Sequence, residues 1–207
     1  MAHISDGVLA APVLIGGGVM SFGLLAYGLR RLDPEKLPQV ALMSAAFFVA
    51  SLIHIPVGPS SVHLLLNGLV GMVLGWAAVP AIFVAVLLQA LFFGFGGITA
   101  LGVNVAIMAV PAVLAYAFFA RQARCASPIV WGAVAGAFAV AATCAAVALA
   151  LAASGAAFLP AAKLIAVAHV PVMVVEAVLT GTIVAFLRRV RPAVLDLSVA
   201  TVRAGET

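Results

Sequence analysis

No Asp, Glu, Lys or Arg occurs between Lys36 and Arg121, and that gap decides what the chain can become. Apolar runs of such length belong in lipid, where a helix satisfies its own backbone and about 20 residues suffice for a crossing. Two-thirds of the residues are hydrophobic and 8% are charged, against roughly 25% charge in a soluble domain. The expectation is an all-α, polytopic membrane helix bundle, with residues 1–207 as a single transmembrane domain. No basic residue precedes the first apolar run, so that run does not read as a cleaved signal peptide.

Apolar runs broken by charge, Pro or Gly place spans near 8–29, 38–53, 61–79, 81–93, 100–120, 127–153 and 161–187. Arg30, Arg31, Lys36, Arg121, Arg124, Arg188, Arg189, Arg191 and Arg203 all fall on one side of these seven spans. By the positive-inside rule that side is cytoplasmic, which puts the amino terminus outside and the tail, residues 192–207, inside. Lys163 alone falls on the outer side, at a helix start where it can snorkel. The fourth span is short and ends in "FFGFGG", which suggests a tilted helix or a re-entrant turn buried in protein. Gly71 and Gly75, and Gly132 and Gly136, are spaced to let helices approach closely.

Other features exclude function classes. The chain lacks a GxxxxGK[ST] phosphate loop, so work done with ATP requires a separate subunit. The basic residues sit at span ends and do not form a nucleic-acid surface. Cys125 and Cys144 would be about 28 Å apart on one helix, too far for a disulfide. Both read as small apolar packing residues.

The polar residues collect at one depth. His3, His54, His63, His169 and Asn104 all fall in the outer half. His63 and Asn67 are spaced to share a helix face, and His169, Met173 and Glu176 form a stripe on the last span. An ionised Glu176 facing lipid would cost about 2.5–3.5 kcal/mol, so it should face the bundle interior. There it serves either as an interhelical tie or directly in transport. His54 reads as an interfacial loop residue, and Asp6 as an N-cap of the first span or a neighbour of a metal.

A free α-amine becomes a metal ligand once deprotonated, and an imidazole two or three residues along can close a chelate through the intervening peptide nitrogen. Planar nitrogen donors suit Ni(II) or Cu(II). Such a terminus is a weak signal alone, because a histidine near a chain end is usually solvated. Here it stands with "HISDGVL", "PVGPSSVHLLLNGLVG", "GGITALGVNVAIMAVPA" and "AHVPVMVVEAVLTG". In that order, over almost the whole chain, these stretches resemble the CbiM/NikM family, the metal-binding membrane subunits of energy-coupling-factor nickel and cobalt importers.

The resemblance implies that residues 1–7 dip into the bundle and bind Ni(II) or Co(II) through the α-amine, a backbone nitrogen, His3 and His63. Family members carry the histidine directly after the initiator Met, whereas Ala2 intervenes here. If Met1 is removed, Ala2 supplies the amine; if Met1 stays, the terminus could fill four planar positions without His63. Asn67 and Asn104 are expected to hold the terminal loop or orient a ligand, with His169 and Glu176 behind the ligands or along the pathway. The resemblance further implies a prokaryotic plasma-membrane location, no prosthetic group, and partnership with a transmembrane coupling subunit, ABC ATPases and sometimes a small accessory subunit. Two other readings stand beside it. One is a subunit of the same importer type for an organic vitamin, which needs an aromatic-lined pocket. The other is a membrane metalloenzyme using His63, His169 and Glu176 around a bound water.

Overall fold

The computed structural model describes residues 3–57 and 60–195. Met1 and Ala2, two of the expected metal donors, and residues 196–207 of the expected tail lie outside the described residues. The helices are α1 (Ala11–Arg30), α2 (Leu37–Ala50), α3 (Asn67–Leu74), α4 (Ala78–Phe93), α5 (Leu101–Cys125), α6 (Pro128–Ser154), α7 (Leu159–Ala168) and α8 (Val170–Val190). Pro12, Pro38, Pro128 and Pro171 each stand in a first helical turn, where the missing N–H has no intrahelical acceptor to lose. Among the described residues, five stretches are long and apolar enough to cross a membrane: Ala11–Arg30, Asn67–Phe93, Leu101–Cys125, Pro128–Ser154 and Val170–Val190.

The first, fifth and sixth expected spans match α1, α5 and α6 to within a few residues at each end. The third does not. Residues expected to open it form part of a two-stranded antiparallel ribbon, β1 (His54–Val57) and β2 (Ser60–His63), with His54 opposite His63. His54 is therefore a strand residue and not a loop residue. His63 and Asn67 also do not share a helix face, because the chain from Leu64 to Leu66 is non-helical and Leu66 is left-handed, with φ of 50°. The ribbon arises because β-branched and proline residues on either side of a Gly-Pro pair disfavour a helix there.

α3 and α4 run in opposite directions although their apolar sequence is continuous. α3 descends alongside α5: the Asn67 amide reaches the Met108 carbonyl, Gly71 packs on Ala112, and Gly75 on the Tyr116 ring. α4 starts near the far end of α1, where Trp76 meets Tyr27 edge-on at 4.5 Å and Pro80 lies against Gly28. It ends at Phe93, whose ring lies 5.5 Å from that of Phe95, the neighbour of His3. The reversal is at Gly75, whose φ of 56° favours glycine. Asn67–Phe93 is thus two helices by geometry, even though its length would allow one crossing.

The last expected span is jointed. α7 ends at Ala168 and α8 begins at Val170, because Pro171 has no N–H to give the Val167 carbonyl. α6 packs most extensively on α8. Gly132 meets Gly181 and Thr180 there, and a side chain at Gly136 would strike the Glu176 carbonyl and Thr180. Small residues on α6 allow this approach, as their spacing suggested. The described arginines gather at the end of the bundle away from His3, where the Arg124 guanidinium donates to the Leu195 carbonyl at 3.2 Å.

Candidate metal centre

Residues 3–10 form a non-helical segment that enters the end of the bundle opposite the arginines. Its burial costs backbone solvation unless each polar group finds a partner. Asn104, on the first turn of α5 and fully buried, supplies two: its Oδ1 accepts from Ile4 N at 2.9 Å, and its Nδ2 donates to Ile4 O at 3.0 Å. One side-chain amide therefore pairs with a residue of the segment as a neighbouring strand would. At the segment's end, Ala10 N donates to the Ser154 hydroxyl at 3.1 Å.

Asp6 does not cap the first span, whose N-cap is Ala10. Its carboxylate accepts from the Thr99 hydroxyl and, at 3.0 Å, from Ala100 N, at the start of α5. The Thr99 hydroxyl above all holds the Asp6 carboxyl below its ordinary range, against a smaller opposing effect of desolvation. A carboxylate over the positive end of α5 is favourable in its own right. The glycines of "FFGFGG" form the cradle between α4 and α5. Gly96 and Gly97 have φ of 79° and 81°; a Cβ on the first would strike the Asn104 amide, and on the second the Asp6 carboxylate. These residues are needed as glycines for both conformation and space.

Pinned in this way, the segment holds His3 inside the bundle at 5% exposure. Its ring lies stacked on His63, centroids 5.1 Å apart and planes 28° apart, with Phe95 also stacked on it at 6.1 Å. His63 is 3% exposed, and its Nδ1 is 2.9 Å from the Leu64 carbonyl. A carbonyl can only accept, so Nδ1 carries the proton and Nε2 keeps the lone pair. Both ring nitrogens of His3 are buried without a hydrogen-bond partner among the described residues. Burial, and next the nearby His63, push the His3 imidazole down to about 3. A histidine kept neutral and desolvated, beside a second with an oriented lone pair, has the state that metal ligation requires.

Glu176 faces the interior at 0% exposure, as the cost of lipid contact demanded. Its Oε1 accepts from Leu65 N at 2.5 Å and from Leu66 N at 2.8 Å, the two amides just before α3. It therefore acts as a tie from α8 to the segment that follows His63. Asn67, also fully buried, donates to Met108 O at 3.2 Å and Thr143 Oγ1 at 2.9 Å, and accepts from Gly68 N at 3.1 Å. Its bonds join α3 to α5 and α6 and do not reach the terminal segment. His169 stands at the α7–α8 joint with Nδ1 donating to Ile165 O at 2.8 Å.

The structure thus brings His3, His63, Asn104 and Asp6 to one mouth, with Glu176 one step behind His63. Among the described residues no group of three or more His, Cys, Asp and Glu side chains converges, so His63, His169 and Glu176 do not form the metalloenzyme set considered above. Phe95, Gly96, Gly97 and Thr99 were missed as site residues. Their signal was the glycine cluster itself, which read as a turn without a ligand-binding purpose.

The sequence profile of a family described as the cobalt uptake substrate-specific transmembrane region, CbiM, matches residues 3–194. A metal transport protein of Haemophilus influenzae is 42% identical over 94% of this chain and 97% of its own length. A fused nickel transport protein, NikMN, of Rhodobacter capsulatus is 41% identical over 52% of this chain and 33% of its own length. A crystal structure of a transition metal transporter superposes with a TM-score of 0.79 at 26% identity, covering 96% of this chain and 99% of that one.

Proposed function

The chain belongs to the CbiM family of multi-pass membrane proteins, and we propose that it is the substrate-binding subunit of an ATP-driven importer that captures Ni(II) or Co(II) at the outer face. The relatives are named for metal transport and not for catalysis, and the reading makes the ion cargo with no prosthetic group. The observation that carries it is the buried pairing of His3 with His63, ring centroids 5.1 Å apart, with the His63 ring oriented through its Nδ1 by the Leu64 carbonyl.

In this reading the chain is one domain of seven crossings, with the amino terminus outside and the tail in the cytoplasm. The α-amine of Met1 or, after its removal, of Ala2 joins a peptide nitrogen, His3 and His63 around the ion. Nitrogen donors in a plane favour nickel, and cobalt can enter the same set. Asn104 and Asp6 position the terminal segment, and Glu176 positions the peptide that orients His63.

Import requires tight binding on one side and weak binding on the other. A site built from the chain's own terminus is dismantled when that segment withdraws, so a modest helix movement can release the ion. The movement is supplied by a transmembrane coupling subunit and ABC ATPases, because this chain has no phosphate-binding loop. The length of the fused relative beyond the matched region agrees with a further subunit acting beside this one.

The test is metal analysis of C-terminally tagged protein. Parent protein should copurify with or bind one Ni(II) or Co(II), and His3→Ala and His63→Ala should each abolish high-affinity binding. Unchanged binding in either variant would contradict the assignment.

A further inference from the structure

We propose a second metal site, for a soft monovalent cation of the Cu(I) type, in the cavity between α6, α7 and α8 that Cys144, His169 and Met173 line together. The cavity has a volume of about 320 Å³, and apart from these three its lining is alanine and valine. None of its lining residues belongs to the mouth that holds His3 and His63. The site is independent of the terminal segment and of the reading given to it.

His169 is 2% exposed, and with Nδ1 bonded to the Ile165 carbonyl its lone pair must reside on Nε2. That nitrogen is buried and has no hydrogen-bond partner among the described residues. A buried acceptor left without a donor costs free energy, which a bound cation would recover. Met173 follows one turn later on the same face, its amide donating to the His169 carbonyl at 2.8 Å. Cys144 faces them from α6 as a free, half-buried thiol. An imidazole, a thioether and a thiol form a donor set suited to soft ions.

Charge selects the ion. The lining has no carboxylate or cation, and an uncompensated charge in an apolar membrane cavity is costly. When Cu(I) binds, the sulfur–hydrogen bond of Cys144 breaks, the proton leaves to solvent, and a metal–sulfur bond forms. His169 Nε2 and the Met173 sulfur donate lone pairs, and no oxidation state changes. One thiolate and one monovalent cation give a neutral complex. Ni(II) or Co(II) in the same place would leave a net positive charge, so the cavity discriminates against the cargo of the other site.

The experiment is anaerobic Cu(I) titration of full-length, C-terminally tagged protein against a chromophoric chelator, with parent, His3→Ala, Cys125→Ser, Cys144→Ser and Met173→Leu compared. The parent, His3→Ala and Cys125→Ser proteins should each hold one tightly bound Cu(I). Cys144→Ser should lose at least about a hundredfold in affinity, because it removes the anionic donor, and Met173→Leu about tenfold, because it removes a neutral one. Nickel binding by Cys144→Ser should be unchanged, which also verifies its fold; Met173→Leu conserves volume and tests the site should the first variant not fold. X-ray absorption at the copper edge should report sulfur and nitrogen donors. Copper affinity unchanged in Cys144→Ser or Met173→Leu, or copper lost in His3→Ala or Cys125→Ser, would overturn the proposal.

Discussion

Asn104 holds Ile4 by both ends of its amide, accepting from the Ile4 N–H at 2.9 Å and donating to the Ile4 carbonyl at 3.0 Å. The two residues are 100 positions apart. This pair fixes the backbone next to His3 to the first turn of α5. Asn104→Leu keeps the side-chain volume and leaves both Ile4 groups unpaired in a buried setting, at about 1–3 kcal/mol each. Metal affinity should fall by roughly thirtyfold or more, the effect of about 2 kcal/mol, with thermal stability of the helices little changed. Calorimetric titration with Ni(II) reads this out, and parental affinity would remove Asn104 from the account.

Gly97 is the point of closest approach between the α4–α5 loop and Asp6. Gly97→Ala meets two penalties, since φ of 81° disfavours any side chain and the new Cβ would strike the Asp6 carboxylate. The conformational part alone is about 1 kcal/mol. The variant should undock the terminal segment and weaken metal binding, whereas Gly94→Ala, where a Cβ would meet nothing within 4 Å, should weaken it less. Equal effects from the two substitutions would show that only backbone strain matters.

Acid should release the segment before it unfolds the bundle. His3 is neutral when docked, with its pKa pushed down to about 3, and ordinary near 6.5 when released. The released form therefore binds the extra proton between those values. Docking is at full strength above about pH 6.5 and loses about 1.4 kcal/mol per unit as pH falls below it. Hydrogen exchange at residues 4–9 in metal-free protein should accelerate from pH 6.5 to 5 after correction for intrinsic rates. A flat profile would place the His3 ring in water.

Glu176 receives two backbone amides on one oxygen, at 2.5 and 2.8 Å. Glu176→Leu leaves the Leu65 and Leu66 amides without an acceptor and should destabilise the protein by about 2–5 kcal/mol. Glu176→Gln retains an oxygen there and should cost clearly less. Thermal unfolding in detergent, with nickel affinity measured in parallel, separates the two. Similar losses in both variants would mean that the charge, rather than the acceptor, is what α3 requires.

The helices that were legible in the sequence are those bounded by strong local signals. α1, α5 and α6 are continuous apolar runs with a proline or glycine at an end, and their expected limits fall close to the observed ones. The ribbon before His63 was hidden because the apolar run continues into α3 and masks the change from strand to helix. The joint at His169 had a visible cause in Pro171, yet an apolar stretch long enough to span reads as one helix unless packing is known. His3 and His63 were recognisable as a pair through the motifs around them. The cradle of Gly96, Gly97 and Thr99, and the reach of Glu176 to amides 110 and 111 residues away, depend on tertiary contacts that leave no periodic trace.

In the proposed site the terminal segment itself grips the metal, and the free α-amine is its most specific requirement. Nickel affinity should therefore be measured on C-terminally tagged protein whose amine is either free or acetylated, with circular dichroism confirming equal helix content. The free form should bind one Ni(II) tightly, and acetylation should abolish that binding. Equal affinity in the two forms would contradict this.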